Sequence, residues 1–178
     1  HDLRPSTLES IMEQFAGQRI VVIGEPIIDR YVHCERPEVA SESPVMTLRP
    51  VESQTFDGGA AIICRHLAAL GADVELITAL PERDDVAVLL VERLRAQGIA
   101  VRRVESDAPV TEKQRFLVGP QKVMKVDLGR TMTIDEHSRS EFIDLAADAA
   151  SQNGGADGVI FADFGQGLLT PATLDRLI

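Results

Sequence analysis

The sequence predicts an α/β fold in which helices flank a doubly wound, mostly parallel sheet. Short apolar runs rich in β-branched residues, such as RIVVIG at residues 19–24, are typical of strands that are covered on both faces. Segments with apolar residues at helical spacing separate these runs. The resulting order of strand, helix, strand, helix, strand favours right-handed crossovers between parallel strands.

The first predicted element is a helix over residues 6–15, with Ser6 as its cap and Gly17 as its end. After the strand described above, the paired glycines Gly58 and Gly59 open a helix that is apolar on nearly every side. Paired glycines let the backbone turn sharply. They also let a ligand or another segment of backbone approach the free N–H groups of the first helical turn.

Two more strands alternate with a helix in the middle of the chain. The run DVELIT at residues 73–78 is predicted to be the second strand. Asp84 or Asp85 then caps a helix that stops at Gly98. Residues 99–104 follow at once as the third strand.

The last predicted elements continue this pattern. Thr133 and Glu136 form a capping box for a helix, and the strand GVIFAD comes after it. Thr170 and Pro171 are a typical N-cap and N1 pair for the final helix. The apolar stripe of that helix is left uncovered, so we expect the 178 residues to be the first part of a larger α/β domain.

Two stretches interrupt the alternation. Residues 31–56 hold three of the nine prolines together with alternating residues, and residues 111–127 resemble two short strands hinged at Gly119 and Pro120. Both patterns are typical of hairpins. We therefore expect both stretches to lie outside the parallel core.

Composition excludes several classes of function. The formal net charge of −10 repels a phosphate backbone, and neither a Lys/Arg run nor an aromatic platform offsets it. No apolar run approaches the roughly 18 residues of a membrane span, and a signal-peptide pattern is missing. The two cysteines and four histidines lack metal-ligand spacing. We expect a cytoplasmic protein with no nucleic-acid partner, no membrane partner and no metal held by this chain.

Particular motifs carry a resemblance to a known family. The matching stretches are FAGQRIVVIGEPIIDRYVH, SESPVMTLRPVE, DGGAAIICRHLAALGA, TEKQRFLVGPQKVMKVD and ADFGQGLLT, in the family's order and within residues 15–170. The sequence resembles the ribokinase-like (PfkB) carbohydrate kinases, and within them the D-glycero-D-manno-heptose 7-phosphate kinases.

The resemblance implies a ribokinase-like sheet with a small β-lid, formed by residues about 31–56 and 110–127, that closes over a sugar. It also implies a homodimer formed through the lid, and ATP and Mg²⁺ as cofactors of the complete kinase. The C-terminal nucleotide-binding half, with the G-A-G-D segment that supplies the catalytic base, is expected beyond Ile178. Residues 1–178 alone would then carry the sugar-binding part and be inactive.

Three substrate-binding residues follow from the resemblance. Gly58 and Gly59 match the glycines that let a sugar lie against the helix mouth, and Asp29 matches the carboxylate that accepts hydrogen bonds from sugar hydroxyls. The chemistry supports this role, because a carboxylate accepts two hydroxyl donors at once and charge-assisted bonds are roughly twice as strong as neutral ones.

Three further candidates each have an alternative interpretation. Lys113 and Arg115 lie two apart on a predicted strand and so on one face, which suits the phosphate of a sugar phosphate. The alternative is a charged edge strand protected against aggregation. Asp163 ends a strand at the carboxyl edge of the sheet, where such sheets bind ligands, or it simply forms a turn.

Two departures from the family pattern leave other functions open. Ile62 stands where the family has Asn, and Gln166 stands where it has Lys. A site without this amide and this cation binds a different sugar or binds weakly. The alternatives to a heptose phosphate kinase are a non-catalytic sugar-binding or assembly module, and a nucleoside or simple-sugar kinase of the same family.

Overall fold

The computed structural model describes residues 5–40 and 42–178. His1, counted above among the histidines, and Ser41, within the predicted lid, lie outside the described residues. Across the described ranges, no helix has the length and apolar character that a membrane crossing requires.

The described residues form ten strands and five α-helices. In chain order the strands are β1 (Arg19–Gly24), β2 (Pro26–Cys34), β3 (Glu38–Val39), β4 (Met46–Thr47), β5 (Pro50–Gly59), β6 (Asp73–Leu80), β7 (Ala100–Glu105), β8 (Glu112–Val118), β9 (Gln121–Leu128) and β10 (Gly158–Ala162). The helices are α1 (Pro5–Glu13), α2 (Ala60–Ala69), α3 (Asp85–Ala96), α4 (Glu136–Ser151) and α5 (Pro171–Leu177).

Four parallel strands in the order β10-β1-β6-β7 form the core sheet. Successive residues of β1 point to opposite faces, so Val22 packs with α2 and α3, whereas Val21 and Ile23 pack with α4. Phe142 of α4 is fully buried in the second of these clusters. The prediction of a doubly wound, mostly parallel sheet with helices on both faces is confirmed.

Four other strands, in the order β5-β2-β8-β9, form the second sheet. β2 pairs antiparallel with β5 and parallel with β8, and β8 pairs antiparallel with β9. The predicted hairpin at residues 111–127 is confirmed. The second sheet reaches beyond the predicted lid segments, because β2 begins at Pro26 and β5 ends at Gly59.

The two sheets are joined by very short connections on one side. Glu25 is the one residue between β1 and β2, and α2 follows β5 directly after Gly59. Longer loops, at residues 106–111 and 129–135, connect β8 and β9 back to the core.

The predicted side-chain caps agree with the structure at two of four positions. The cap predicted at Ser6 is wrong, because α1 begins at Pro5 and Ser6 lies inside the helix. Asp84 accepts from the N–H of Val86 at 2.8 Å and so caps α3, and Thr170 caps α5 as predicted. The predicted capping box at Thr133 is wrong, because Asp135 is the N-cap of α4. The N–H of Thr133 instead donates to Asp107 Oδ1 at 2.9 Å, so this residue belongs to the preceding loop.

Candidate functional site

Asp29 and Gly58 lie against each other where β2 meets β5. Gly58 pairs with Ile27, two residues before Asp29, so both positions share one face of the second sheet. A Cβ atom at Gly58 would lie 2.7 Å from Asp29 Oδ2. Only glycine at position 58 therefore leaves this carboxylate oxygen in its place.

Gly59 is also required where β5 meets α2, but for a different reason. Its φ of +59° lies in the left-handed region, and a Cβ there would lie 2.4 Å from the carbonyl oxygen of Glu25. That carbonyl accepts the N–H of Ala60 at 2.9 Å. The segment that approaches Gly59 is thus backbone, whereas the group that approaches Gly58 is the Asp29 carboxylate.

A cavity of about 370 Å³ lies over this face. It is lined by Asp29, Tyr31, His33, Gln54, Phe56, Asp57 and Ile62. The rings of Tyr31 and Phe56 pack edge to face with centroids 5.6 Å apart. The cavity therefore combines polar side chains, including the carboxylates of Asp29 and Asp57, with the two aromatic rings, and the Ile62 side chain contributes no hydrogen-bonding group to it.

Arg115 reaches the same carboxylate from β8. Its Nη1 donates to Asp29 Oδ1, and its guanidinium carbon lies 5.4 Å from the centroid of the Tyr31 ring. The hydrogen bond to Asp29 raises the pKa of Arg115 above its ordinary value. The Arg115 and Asp29 side chains are 18% and 26% exposed, so this ion pair is partly buried.

Lys113 lies on the same face of the sheet as Arg115 but forms no ion pair with any of the described residues. It lies in register between Asp29 on β2 and Asp127 on β9. Within the described ranges, no carboxylate oxygen is within 4.0 Å of its ammonium group. Lys125, by contrast, donates to Asp127 at 2.8 Å, which lowers the pKa of Asp127.

Asp163 lies at the carboxyl edge of the core sheet and does not line this cavity. Its Oδ1 accepts the N–H of Gly165 at 2.8 Å, as in an Asx turn. The side chain is exposed, and its second oxygen stays available to a ligand.

Glu25 is a buried carboxylate that the sequence reasoning did not single out as functional. Its Oε2 accepts the N–H of Phe164 at 2.8 Å and its Oε1 accepts the N–H of Leu168 at 3.0 Å. Glu25 thereby connects the junction between the two sheets to the loop that carries Asp163. Gln166, in the same loop, accepts a hydrogen bond from the Thr111 hydroxyl at 2.6 Å, which joins this loop to the start of β8.

Asp57 is a second buried carboxylate, directly before the glycine pair. It accepts from Arg65 of α2 at 3.1 Å and from Arg93 of α3 at 2.5 Å. The Asp57 side chain is 2% exposed. The sequence signal for it was an acidic residue beside paired glycines, followed by an arginine in a helix that is mostly apolar.

The described residues offer no ready metal site, since no group of three or more His, Cys, Asp or Glu side chains among them is placed to hold an ion. Burial raises the pKa of the Cys64 thiol to about 12, which disfavours the thiolate, the form that binds metals. We assign no ligand of Mg²⁺ or of a nucleotide to this chain.

Comparisons with known proteins agree with the motifs. The chain is 30% identical over 174 residues to the bifunctional protein HldE of Hyphomonas neptunium, covering 97% of this chain and 34% of that protein. It is 30% identical over 159 residues to the D-beta-D-heptose 7-phosphate kinase of Bordetella bronchiseptica, covering 88% of this chain and 49% of that protein. The chain thus spans between a third and a half of these relatives' length. No family model matches it.

A solved structure gives the fold. The tetrameric inhibited form of phosphofructokinase-2 from Escherichia coli superposes with a TM-score of 0.66 over 90% of this chain and 50% of that chain, at 19% identity. The resemblance stated from the sequence is therefore confirmed: the chain has the α/β fold of the ribokinase-like (PfkB) carbohydrate kinases and is similar over nearly its whole length to heptose 7-phosphate kinases.

Proposed function

We propose that this chain is the sugar-binding part of an ATP-dependent sugar kinase that acts on a sugar phosphate of the heptose 7-phosphate type. The observation that carries the proposal is Asp29 lying against Gly58 beside a cavity of about 370 Å³. A sugar ring fits a place where one carboxylate accepts hydroxyl donors and the neighbouring backbone carries no side chain. The kinase names of the relatives support the same reaction class.

Each candidate residue has a role in this proposal. Asp29 accepts sugar hydroxyls, and the Gly58 and Gly59 corner lets the ring approach the mouth of α2. Lys113 and Arg115 supply positive charge for the phosphate already on the sugar, in a chain whose net charge is −10.

The second sheet supplies the proposed lid, over residues about 31–56 and 110–127. Asp163 lies at the edge where open α/β sheets bind ligands, and we keep it as a candidate for a second polar contact.

The complete kinase would use ATP and Mg²⁺ in the cytoplasm, and residues beyond this chain would hold them. We therefore expect residues 1–178 to bind the sugar without transferring a phosphoryl group. A coupled ATP assay with a panel of sugar phosphates tests the second half of this statement, and turnover by the 178-residue chain would contradict it.

The central test is titration calorimetry of the chain with heptose 7-phosphate. We expect binding by the wild type and a loss of at least about 10-fold in affinity for Asp29→Asn, since the amide removes an ionised acceptor. Asp144→Asn, on the exposed surface of α4, is the matched control and should bind as the wild type does. Equal affinity of wild type and Asp29→Asn would contradict the assignment.

We also propose that two copies associate through their lids. Apolar side chains on the second sheet support this, because Met124 is 44% exposed and Leu128 is 46% exposed on β9. Analytical ultracentrifugation of wild type and Met124→Lys tests it. A monomeric wild type would exclude the lid dimer for this chain.

One observation favours a second candidate, a sugar-binding module without catalysis. Ile62 lines the cavity where the family has an amide, so one polar contact to the sugar is missing. Measurements on a full-length protein that also contains the C-terminal half of the proposed kinase distinguish the two. Sugar binding without ATP turnover in that longer protein would favour the module.

A further inference from the structure

Asp29, the carboxylate proposed to bind the sugar, already forms an ion pair with Arg115. Asp29 Oδ1 accepts from Arg115 Nη1, while Asp29 Oδ2 lies over Gly58. Both side chains are mostly buried, and the Tyr31 ring lies beside the guanidinium. A sugar hydroxyl that approaches Asp29 must therefore share this oxygen with Arg115 or displace Arg115 from it.

We propose that binding exchanges this ion pair: sugar hydroxyls take Asp29, and the phosphate of the same ligand takes Arg115, so that the pair selects phosphorylated sugars. The inference rests on the proposed function and deepens it, because it names the device that distinguishes a sugar phosphate from the free sugar.

The exchange follows from whether each ligand gives the Arg115 guanidinium a new anionic partner. A free sugar that displaces Arg115 leaves a partly buried guanidinium without its carboxylate, and removing one partner of such a pair is costly. A sugar phosphate replaces the lost carboxylate with a bidentate anion of matching geometry. Lys113, which has no carboxylate within 4.0 Å among the described residues, adds a second positive charge on the same face.

Other roles for Arg115 make different predictions. If Arg115 only binds phosphate, its removal leaves the affinity for the free sugar unchanged. If Arg115 only orients Asp29, its removal weakens both ligands. The exchange alone predicts opposite changes: without Arg115, the phosphate ester binds more weakly and the free sugar binds more tightly, because Asp29 is released.

The experiment measures the affinities of heptose 7-phosphate and of the same heptose without phosphate by titration calorimetry. For the wild type we expect the ester to bind at least about 10-fold more tightly. For Arg115→Ala we expect the ester to weaken by about 10-fold or more and the free heptose to strengthen by about threefold. An unchanged or weaker free heptose in Arg115→Ala overturns the exchange.

Two control variants separate the exchange from general effects. Lys113→Ala should weaken the ester without strengthening the free heptose, because Lys113 does not occupy Asp29. Arg30 forms a fork with Glu112 at 2.6 and 3.0 Å between the same strands, β2 and β8, but on the opposite face. Arg30→Ala should leave both affinities unchanged. If Arg30→Ala also weakened the ester and strengthened the free heptose, the changes would come from a general loosening of the sheet, and the exchange would be overturned.

A second measurement stays valid if Arg115→Ala does not fold. Asp29→Asn releases Arg115, so inorganic phosphate should bind Asp29→Asn about fivefold more tightly than it binds the wild type. Equal phosphate affinity overturns the exchange. If the ester binds the wild type but the variants show none of these changes, the exchange fails and the proposed function stands. If neither sugar binds the wild type, both fail.

Discussion

At the residue scale, the lack of a side chain at Gly58 is as important as the Asp29 carboxylate beside it. Any other residue at position 58 would bring a Cβ to 2.7 Å from Asp29 Oδ2 and 3.3 Å from Asp29 Cγ. Asp29 is also held by Arg115, so it cannot turn away without breaking the ion pair. The position of the carboxylate is thus fixed from two sides.

Gly58→Ala should therefore weaken binding of heptose 7-phosphate by about 10-fold or more, because the added methyl group displaces the carboxylate. Titration calorimetry measures this. Gly158→Ala is the matched control: a Cβ there would meet only the Ile20 Cδ1 atom, at 3.2 Å. Full affinity in Gly58→Ala would show that Asp29 does not need its present position.

Asp57 makes a prediction about stability. Asp57→Ala should lower the free energy of unfolding by about 2–3 kcal/mol, less than for a fully buried pair because the arginines reach water. Urea denaturation measures the change. Glu38→Ala removes an exposed pair with Arg49, with side chains 68% and 67% exposed, and should leave the urea midpoint unchanged. Similar losses in both variants would contradict the importance of burial.

At the element scale, α3 depends on a cap that also holds a neighbouring loop. Asp84 Oδ1 accepts from the N–H of Val86, and Asp84 Oδ2 accepts from the N–H of Val110 at 3.3 Å. One side chain therefore begins the helix and fixes the loop that leads from β7 to β8. This double role is absent at Asp85, the first residue of the helix.

Asp84→Ala should lower the free energy of unfolding by about 1–2 kcal/mol, since a lost N-cap leaves helix N–H groups without an acceptor. Chemical denaturation monitored by circular dichroism measures the change. Asp85→Ala is the control and should lose at most about 0.5 kcal/mol. A larger loss at Asp85 than at Asp84 would mean that charge near the helix start matters more than the cap.

The helices and strands were largely predictable from the sequence, whereas the pairing of distant strands and the contacts between distant side chains were not. Apolar runs and glycine ends located the four core strands, because burial on both faces requires such runs. The parallel pairing of β2 with β8 leaves no local signal, since the two strands are far apart in the chain. The same holds for Asp29 and Arg115, which are 86 positions apart. The cap at Thr133 failed because Thr133, Asp135 and Glu136 offered competing starts for one helix.

At the scale of the whole molecule, carboxylates with lowered pKa values lie both in the second sheet and on α4, which covers one face of the core sheet. The Arg30 hydrogen bond lowers the pKa of Glu112 in the second sheet. Arg102 lowers the pKa of Asp148 on α4. A group with a lowered pKa stabilises the fold fully above its unfolded pKa, and that contribution disappears as the pH falls through its folded pKa.

Stability should therefore be constant near neutral pH and fall once the pH drops below about 4.5, the ordinary value for a Glu carboxyl. Urea midpoints measured from pH 7 to pH 3 test this. In Arg30→Met the loss toward acid pH should be smaller, because Glu112 no longer has its partner. A midpoint that stays constant to pH 3 would contradict the prediction.

The short junctions at Glu25 and Gly59 restrict how far the second sheet could move against the core. Tethers this short permit rotation but little sliding, and both attach to the β2 and β5 side. Because β9 is the strand farthest from these junctions in the order β5-β2-β8-β9, any rotation about them would displace β9 more than it displaces Asp29 on β2.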